Sequence, residues 1–135
     1  MPGFIAHIGK DKLAFAAETR KKLVINHIDG NGYQLERRVV DKFMNDRLFV
    51  ETDKYLVVVE GVVVNNHDLM AQYHASSWLD CVIAMYEQES DAFFNAFRGS
   101  FSGIFYDKQQ DKWLVYTNHI GDKQVFLYRT AEGYL

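Results

Sequence analysis

The side chains of this chain that could do chemistry are scattered, and their spacing assembles few sites. Cysteine occurs once, at Cys81, followed by Val82, Ile83 and Ala84. A reactive thiolate needs an electropositive, partly exposed setting, so this context reads as a buried structural thiol. Histidines stand at positions 7, 27, 67, 74 and 119. His67 and His74 are seven apart and could share a helix face, but no Cys or Glu accompanies them at i+3 or i+4. No metal site is indicated, and surface histidines are expected. Glu36, Asp41 and Asp46 have no paired acid or base and read as solvated carboxylates. Glu36-Arg37-Arg38 is too short for a nucleic-acid patch. Asp29-Gly-Asn-Gly32 lacks the strand-to-helix context of a phosphate loop. If Met1 were removed, Pro2 would expose a secondary amine able to act as a base, but no matching cationic pocket is readable.

A chain of 135 residues makes one domain, 1–135, with room for a real core. Hydrophobic residues make up 48% and charged residues 24%, the balance of a globular protein rather than a disordered one. The net charge of -3 gives no electrostatic footprint for nucleic acid. No apolar run approaches the roughly 20 residues that span a membrane. Lys10, Asp11 and Lys12 interrupt any signal-peptide core. One cysteine excludes an internal disulfide, and a cytoplasmic location is the default expectation. The ten Phe and eight Tyr point to a core between packed layers.

The elements follow from pattern. Gly3–Ile8 reads as a short strand. Lys12–Arg20 settles on no single period. Lys22–Ile28 alternates as a strand and Asp29-Gly-Asn-Gly32 turns it. Tyr33–Phe43 reads as a strand with one wet face, and Leu48–Val50 as another. Tyr55–Val59 has no polar alternation, which means a strand buried on both faces. Glu60-Gly61 breaks the β-branched run and reads as a turn before a further strand. Asn66 is expected to cap a helix over His67–Tyr73. Ser76 or Ser77 should cap Trp78–Glu87, with Trp78, Val82, Met85 and Glu89 on one face. Ser90 or Asp91 should cap a short helix bearing Phe93, Phe94 and Phe97, with Gly99 ending it. Strands are expected at Ser100–Tyr106, Trp113–Thr117 and Gln124–Arg129. A hairpin begins at Glu132-Gly-Tyr with no partner strand in view, so the chain is expected to be the front part of a longer protein. Strands, a helical block and strands again fit stacked sheets covered by helices.

Five segments in order carry a resemblance. They are Met1-Pro2-Gly3-Phe4-Ile5, Glu60-Gly-Val-Val-Val-Asn65, Ser77-Trp-Leu-Asp80 leading to Tyr86-Glu87, Phe97-Arg-Gly-Ser-Phe-Ser-Gly-Ile-Phe-Tyr-Asp107, and Asn118-His-Ile-Gly-Asp-Lys-Gln-Val-Phe-Leu127. Together they resemble the N-terminal glutamine-hydrolysing domain of asparagine synthetases and other class-II glutamine amidotransferases. Lys10 to Asp53 matches poorly. The resemblance implies an α+β fold, the four-layered αββα N-terminal-nucleophile hydrolase sandwich of two stacked, mainly antiparallel sheets.

It also implies where an active site would stand, and three of its positions, Pro2, Glu60 and Trp78, have changed. The family's nucleophilic cysteine, whose own α-amine is the base, falls at Pro2, beside Gly3. Pro2 has no nucleophilic side chain. The side-chain donor of the oxyanion hole falls at Glu60, which accepts only when ionised. The backbone donor falls at Gly61, in the stretch that ends at Asn65. The acid that binds the substrate ammonium falls at Trp78, and Asp80 aligns with a family Glu. The carboxylate-binding Arg falls in the poorly matched segment, with Arg38 foremost and Arg37 and Arg47 as alternatives. The expectation is a vestigial pocket in a domain that does not hydrolyse glutamine, attached to a C-terminal domain that uses ATP and magnesium. No cofactor and no metal are expected in the present domain. Two alternatives stay open. One is an amidohydrolase using Ser100, Ser102 or Thr117 as nucleophile. The other is a binding or self-association module, including a homodimer.

Overall fold

The structure, a computed structural model, describes residues 3–10, 13, 15, 23–40, 48–131 and 133–135. In chain order the elements are β1 (Gly3–Ile8), β2 (Leu23–Gly30), β3 (Tyr33–Val40), β4 (Leu48–Glu51), β5 (Tyr55–Val63), α1 (Asn66–Gln72), α2 (Trp78–Glu89), a 3₁₀ helix (Ser90–Ala96), β6 (Gly99–Asp107), β7 (Lys112–Thr117), β8 (Arg129–Thr130) and β9 (Gly133–Tyr134). The chain divides into two compact units. One comprises Met1–Met44 with Phe126–Leu135, and the other Asn45–Val125. The α+β class and the two antiparallel sheets of the expected fold are both present, one sheet in each unit.

The first unit holds a sheet of order β2-β3-β1-β9-β8. Asn31-Gly32 turns β2 into β3, and Gly32 takes φ +87°, a value residues with side chains rarely adopt. Strand β3 is central between β2 and β1, with Gly3 opposite Arg38, Phe4 opposite Arg37, and Ile5 opposite Glu36. Alternation then sorts the side chains by face. Tyr33, Leu35 and Arg37 share one face with Phe4, Ala6 and Ile8. Gln34, Glu36 and Arg38 share the other with Gly3, Ile5 and His7. Leu35 and Tyr33 are buried.

The second unit holds a sheet of order β4-β5-β6-β7, antiparallel throughout. One face carries Tyr55, Val57, Val59 and Val63 from β5 with Phe101, Phe105 and Tyr116. Against it pack Trp78, Cys81, Val82 and Met85 of α2 and Phe93 of the 3₁₀ helix. Phe93 is the hub of the aromatic packing, with ring centroids 5.3 to 6.1 Å from those of Tyr86, Phe94, Phe97, Phe105 and Tyr116. Leu56 and Val58, pointing the other way, are also fully buried. Strand β5 is therefore buried on both faces, as its unbroken apolar run requires.

Several sequence expectations need correction. Glu60-Gly61 is not a turn: β5 runs through it to Val63. Gly61 makes this possible, because it takes φ +105° and a Cβ there would lie 2.2 Å from the Ser100 carbonyl oxygen. Asn65, not Asn66, caps α1, and it does so without a side-chain bond to the helix. On α2, Trp78, Val82 and Met85 are buried while Glu89 is exposed, since the helix end leaves the core. The Phe93 segment is 3₁₀ rather than α, Glu89 precedes it as cap without a side-chain bond, and Gly99 begins β6 instead of ending the helix. Gln124–Arg129 is not a strand. The strand covers only Arg129–Thr130, extended by a reciprocal backbone pair between Tyr128 and Leu135, and the side chains of Phe126, Leu127 and Tyr128 are exposed. The hairpin at Gly133 has its partners: Gly133 faces Thr130 in β8, and Tyr134 faces both Arg129 and Ile8 of β1. Most of Lys12–Arg20, and residues 41–43 of the expected third strand, lie outside the described residues.

Candidate functional site

The positions singled out from sequence are carried partly by each unit. On the first unit, Pro2 lies outside the described residues and Gly3 opens β1. A Cβ on Gly3 would meet nothing within 4 Å among the described residues, so packing does not demand glycine there. Cross-strand pairing sets Arg38 directly opposite Gly3. Its Nε donates to Glu36 Oε1, and the second Glu36 oxygen lies 3.5 Å from His27 Nδ1. Glu36 is therefore no solvated carboxylate; it is 5% exposed and ion-paired. Burying a charge is tolerable when it is paired in this way. Arg37 points to the opposite face, the one shared with Phe4, where its guanidinium donates to Asn26 Oδ1 at 2.8 Å. The two neighbouring arginines thus serve different faces of one sheet. Arg47, Asp41 and Asp46 lie outside the described residues.

On the second unit, Glu60 and Gly61 are consecutive in β5. Glu60 is 5% exposed and points away from the helix-side core. Its cross-strand partner is Ser102, whose next neighbour is Thr117, so Glu60, Ser102 and Thr117 form one row across three strands. Ser100 faces Val62 and stands outside that row. The close approach of Gly61 to the β6 backbone explains its glycine independently of any oxyanion. Asn65 has a structural occupation too: its Nδ2 donates to the Ala96 carbonyl and its Oδ1 accepts from the Arg98 N–H, both at 2.9 Å.

Trp78 and Asp80 stand in the first turn of α2, brought there by the Ser77 cap, whose hydroxyl accepts the Asp80 N–H at 3.1 Å. The Trp78 ring is buried against Phe97, with centroids 5.3 Å apart, on the helix side of the sheet. Glu60 is on the other side, so the structure does not bring these two positions together. Trp78 Nε1 is buried without a hydrogen-bond partner among the described residues. Asp80 is exposed and its carboxylate accepts from Ser76 Oγ, an arrangement that stabilises a helix start.

Other expected features resolve readily. Burial pushes the Cys81 thiol up to about 11, which keeps it protonated and inert. His7 is buried, against the expectation of a surface residue, and its Nδ1 has no partner among the described residues. His74 lies beyond the end of α1, so it shares no helix face with His67. Among the described residues no cluster of three metal-ligating side chains occurs, and no helix is long and apolar enough to cross a membrane. Sequence reasoning missed the buried Tyr86–Asp107 hydrogen bond of 2.7 Å. The signal was Asp107 at the head of a polar turn, where its other oxygen accepts from the Gln109 and Gln110 N–H groups.

A family model described as a glutamine amidotransferase domain matches residues 36–135. Asparagine synthetase B [glutamine-hydrolyzing] of Escherichia coli (strain K12) is 22% identical over 94 residues, 65% of this chain. The chain spans 17% of that relative's length.

Proposed function

This chain belongs to the glutamine amidotransferase domain family, and on that premise we propose that it is a domain that has lost glutamine hydrolysis and serves as a scaffold. The observation that carries the reading is Pro2, where the resemblance requires a cysteine. Without a thiol at that position there is no side-chain group to attack the amide, whatever bond the Pro2 nitrogen makes. The buried Glu60 adds to the loss, because it stands where the resemblance places the side-chain amide donor of the oxyanion hole. The domain then acts in the cytoplasm as the structural partner of an amide-forming domain of the same polypeptide. That partner domain would bind ATP and magnesium and take its nitrogen from free ammonia or from the substrate.

A second reading has one observation in its favour. Ser102 is directly opposite the buried Glu60, so a hydroxyl and a potential base are strand neighbours. An amidohydrolase built on that pair would be labelled at Ser102.

Both readings meet in one experiment. The purified protein is incubated with L-glutamine and separately with an electrophilic glutamine analogue. Ammonia release and intact mass are then recorded. The scaffold reading expects no ammonia above buffer and no mass increment. An adduct mapped to Ser102 supports the second reading, and turnover of glutamine retires the first.

A further inference from the structure

Asn31 and Gly32 form the loop between β2 and β3, closed by the pairing of Gly30 with Tyr33. A turn of this kind fixes the register of its hairpin. Asn31 is exposed. Gly32 takes φ +87°, and a Cβ on it would meet nothing within 4 Å among the described residues. Its carbonyl accepts from the Gly9 N–H at 2.8 Å. Among the described residues, neither the Gly32 N–H nor the Asn31 carboxamide takes part in a hydrogen bond. The other described asparagines stand differently. Asn26 accepts from Arg37, Asn65 bridges the Ala96 carbonyl and the Arg98 N–H, and Asn118 donates to the Gly99 carbonyl. Asn66 is buried. Asn95 is exposed, but Ala96 follows it within the 3₁₀ helix.

We infer that Asn31 is a site of self-modification: the Gly32 nitrogen displaces its side-chain ammonia, and the β2–β3 turn acquires an isoaspartyl linkage. The Gly32 nitrogen gives up its proton and bonds to Asn31 Cγ. The Cγ–Nδ2 bond breaks, and Nδ2 takes up that proton and leaves as ammonia. The product is a five-membered cyclic imide, which one water molecule opens. Cleavage between the Gly32 nitrogen and Cγ gives aspartate. Cleavage between that nitrogen and the backbone carbonyl carbon gives isoaspartate, in which the chain runs through Cβ. Glycine favours ring closure because it has no Cβ to crowd the attacking nitrogen, and the open space at Gly32 leaves room for the ring and the water. Isoaspartate adds one atom to the loop backbone and a carboxylate to the turn. The register set by this loop places Glu36 opposite His27 and Arg37 opposite Asn26, so a longer loop loosens both pairs. The reaction needs no glutamine and ends after one ammonia per chain, so it stands apart from the scaffold reading.

The test ages the intact chain, folded and without glutamine, in mildly alkaline buffer beside Asn31→Ser and Asn31→Asp. The readouts are peptide mass, labelling by an isoaspartyl carboxyl methyltransferase, and the thermal midpoint. The wild-type chain is expected to gain about 1 Da at Asn31, as NH₂ gives way to OH. The gain there should be roughly tenfold or more faster than at Asn95, where the next residue carries a Cβ. Methyl label should appear at Asn31 in the same samples, and neither signal should arise at this turn in Asn31→Ser. Asn31→Asp carries the new charge on a loop of the old length. The aged wild-type chain should therefore melt below it. An Asn31 that stays intact, a faster loss at another asparagine, an aged turn holding aspartate without isoaspartate, or an aged midpoint equal to that of Asn31→Asp overturns the inference. Glutamine is added in a parallel sample: ammonia beyond one per chain there retires the scaffold reading and leaves this inference standing.

Discussion

On the proposed reading, Pro2 and Glu60 each remove a different part of the chemistry that the resemblance implies, and the difference can be measured. A thiol supplies the bond-forming atom, while a donor at the oxyanion lowers the barrier only once attack begins. Replacing Pro2→Cys restores the first but leaves the buried Glu60 where the resemblance places an amide donor. One oxyanion donor is worth about 10²–10³ in turnover. Pro2→Cys alone is therefore expected to release ammonia at the buffer rate, and the pair Pro2→Cys with Glu60→Asn to exceed it by about that factor. A coupled ammonia assay over the two variants decides the matter. Turnover by Pro2→Cys alone would show that Glu60 is no obstacle. Trp78 does not enter this test, because its ring belongs to the helix-side core with Phe97.

Asn65 shows how one side chain fixes the end of an element. Its amide bridges the Ala96 carbonyl and the Arg98 N–H, and the Val64 N–H donates to the Arg98 carbonyl at 2.7 Å. The exit of β5 is thereby tied to the entry of β6. Asn65→Ala leaves a backbone donor and acceptor to find other partners, at about 1–3 kcal/mol for each that stays buried. Urea denaturation should show a lowered midpoint, with Asn65→Asp milder because it keeps the acceptor for Arg98. Equal midpoints for Asn65→Ala and wild type would mean that water replaces both bonds at no cost. This bridge was not legible in sequence, whereas the strands it joins were. The valine run of β5, the Phe93 cluster and the Ser77 cap show themselves in type and period. The continuity of β5 through Glu60-Gly61 did not, since a glycine with positive φ signals a turn locally and becomes a strand residue only through its packing on Ser100. Gln124–Arg129 failed for the reverse reason. Its apolar residues suit a strand, but the hairpin pairing reaches back from Thr130 only as far as Tyr128. Which neighbour the two adjacent arginines meet was not legible either: they face opposite ways on β3, and only the register with β1 sets Arg38 opposite Gly3 and Arg37 opposite Phe4.

Proton linkage makes the stability of the Asn45–Val125 unit fall in alkali, and the sign follows from where its phenols lie. Burial and then the hydrogen bond to Asp107 raise the Tyr86 pKa above its ordinary value of 10.0, and burial alone raises that of Tyr116. Tyr86 donates to Asp107 and Tyr116 to the Val58 carbonyl at 3.1 Å, so each needs its proton in the folded state. Above pH 10 the unfolded chain loses these protons while the native one retains them. The native state then binds more protons, and stability is fully present below the unfolded pKa and declines as pH rises beyond it. Each phenol contributes a slope of about 1.4 kcal/mol per pH unit in that window. Urea unfolding followed by the fluorescence of Trp78 and Trp113, from about pH 9 to about pH 11.5, should show midpoints constant at first and then falling. Tyr86→Phe should lower the midpoint near neutrality through the lost bond to Asp107, and flatten the alkaline slope by one phenol's share. An unchanged slope would mean that Tyr86 titrates alike in both states, and that the Asp107 bond does not hold its proton.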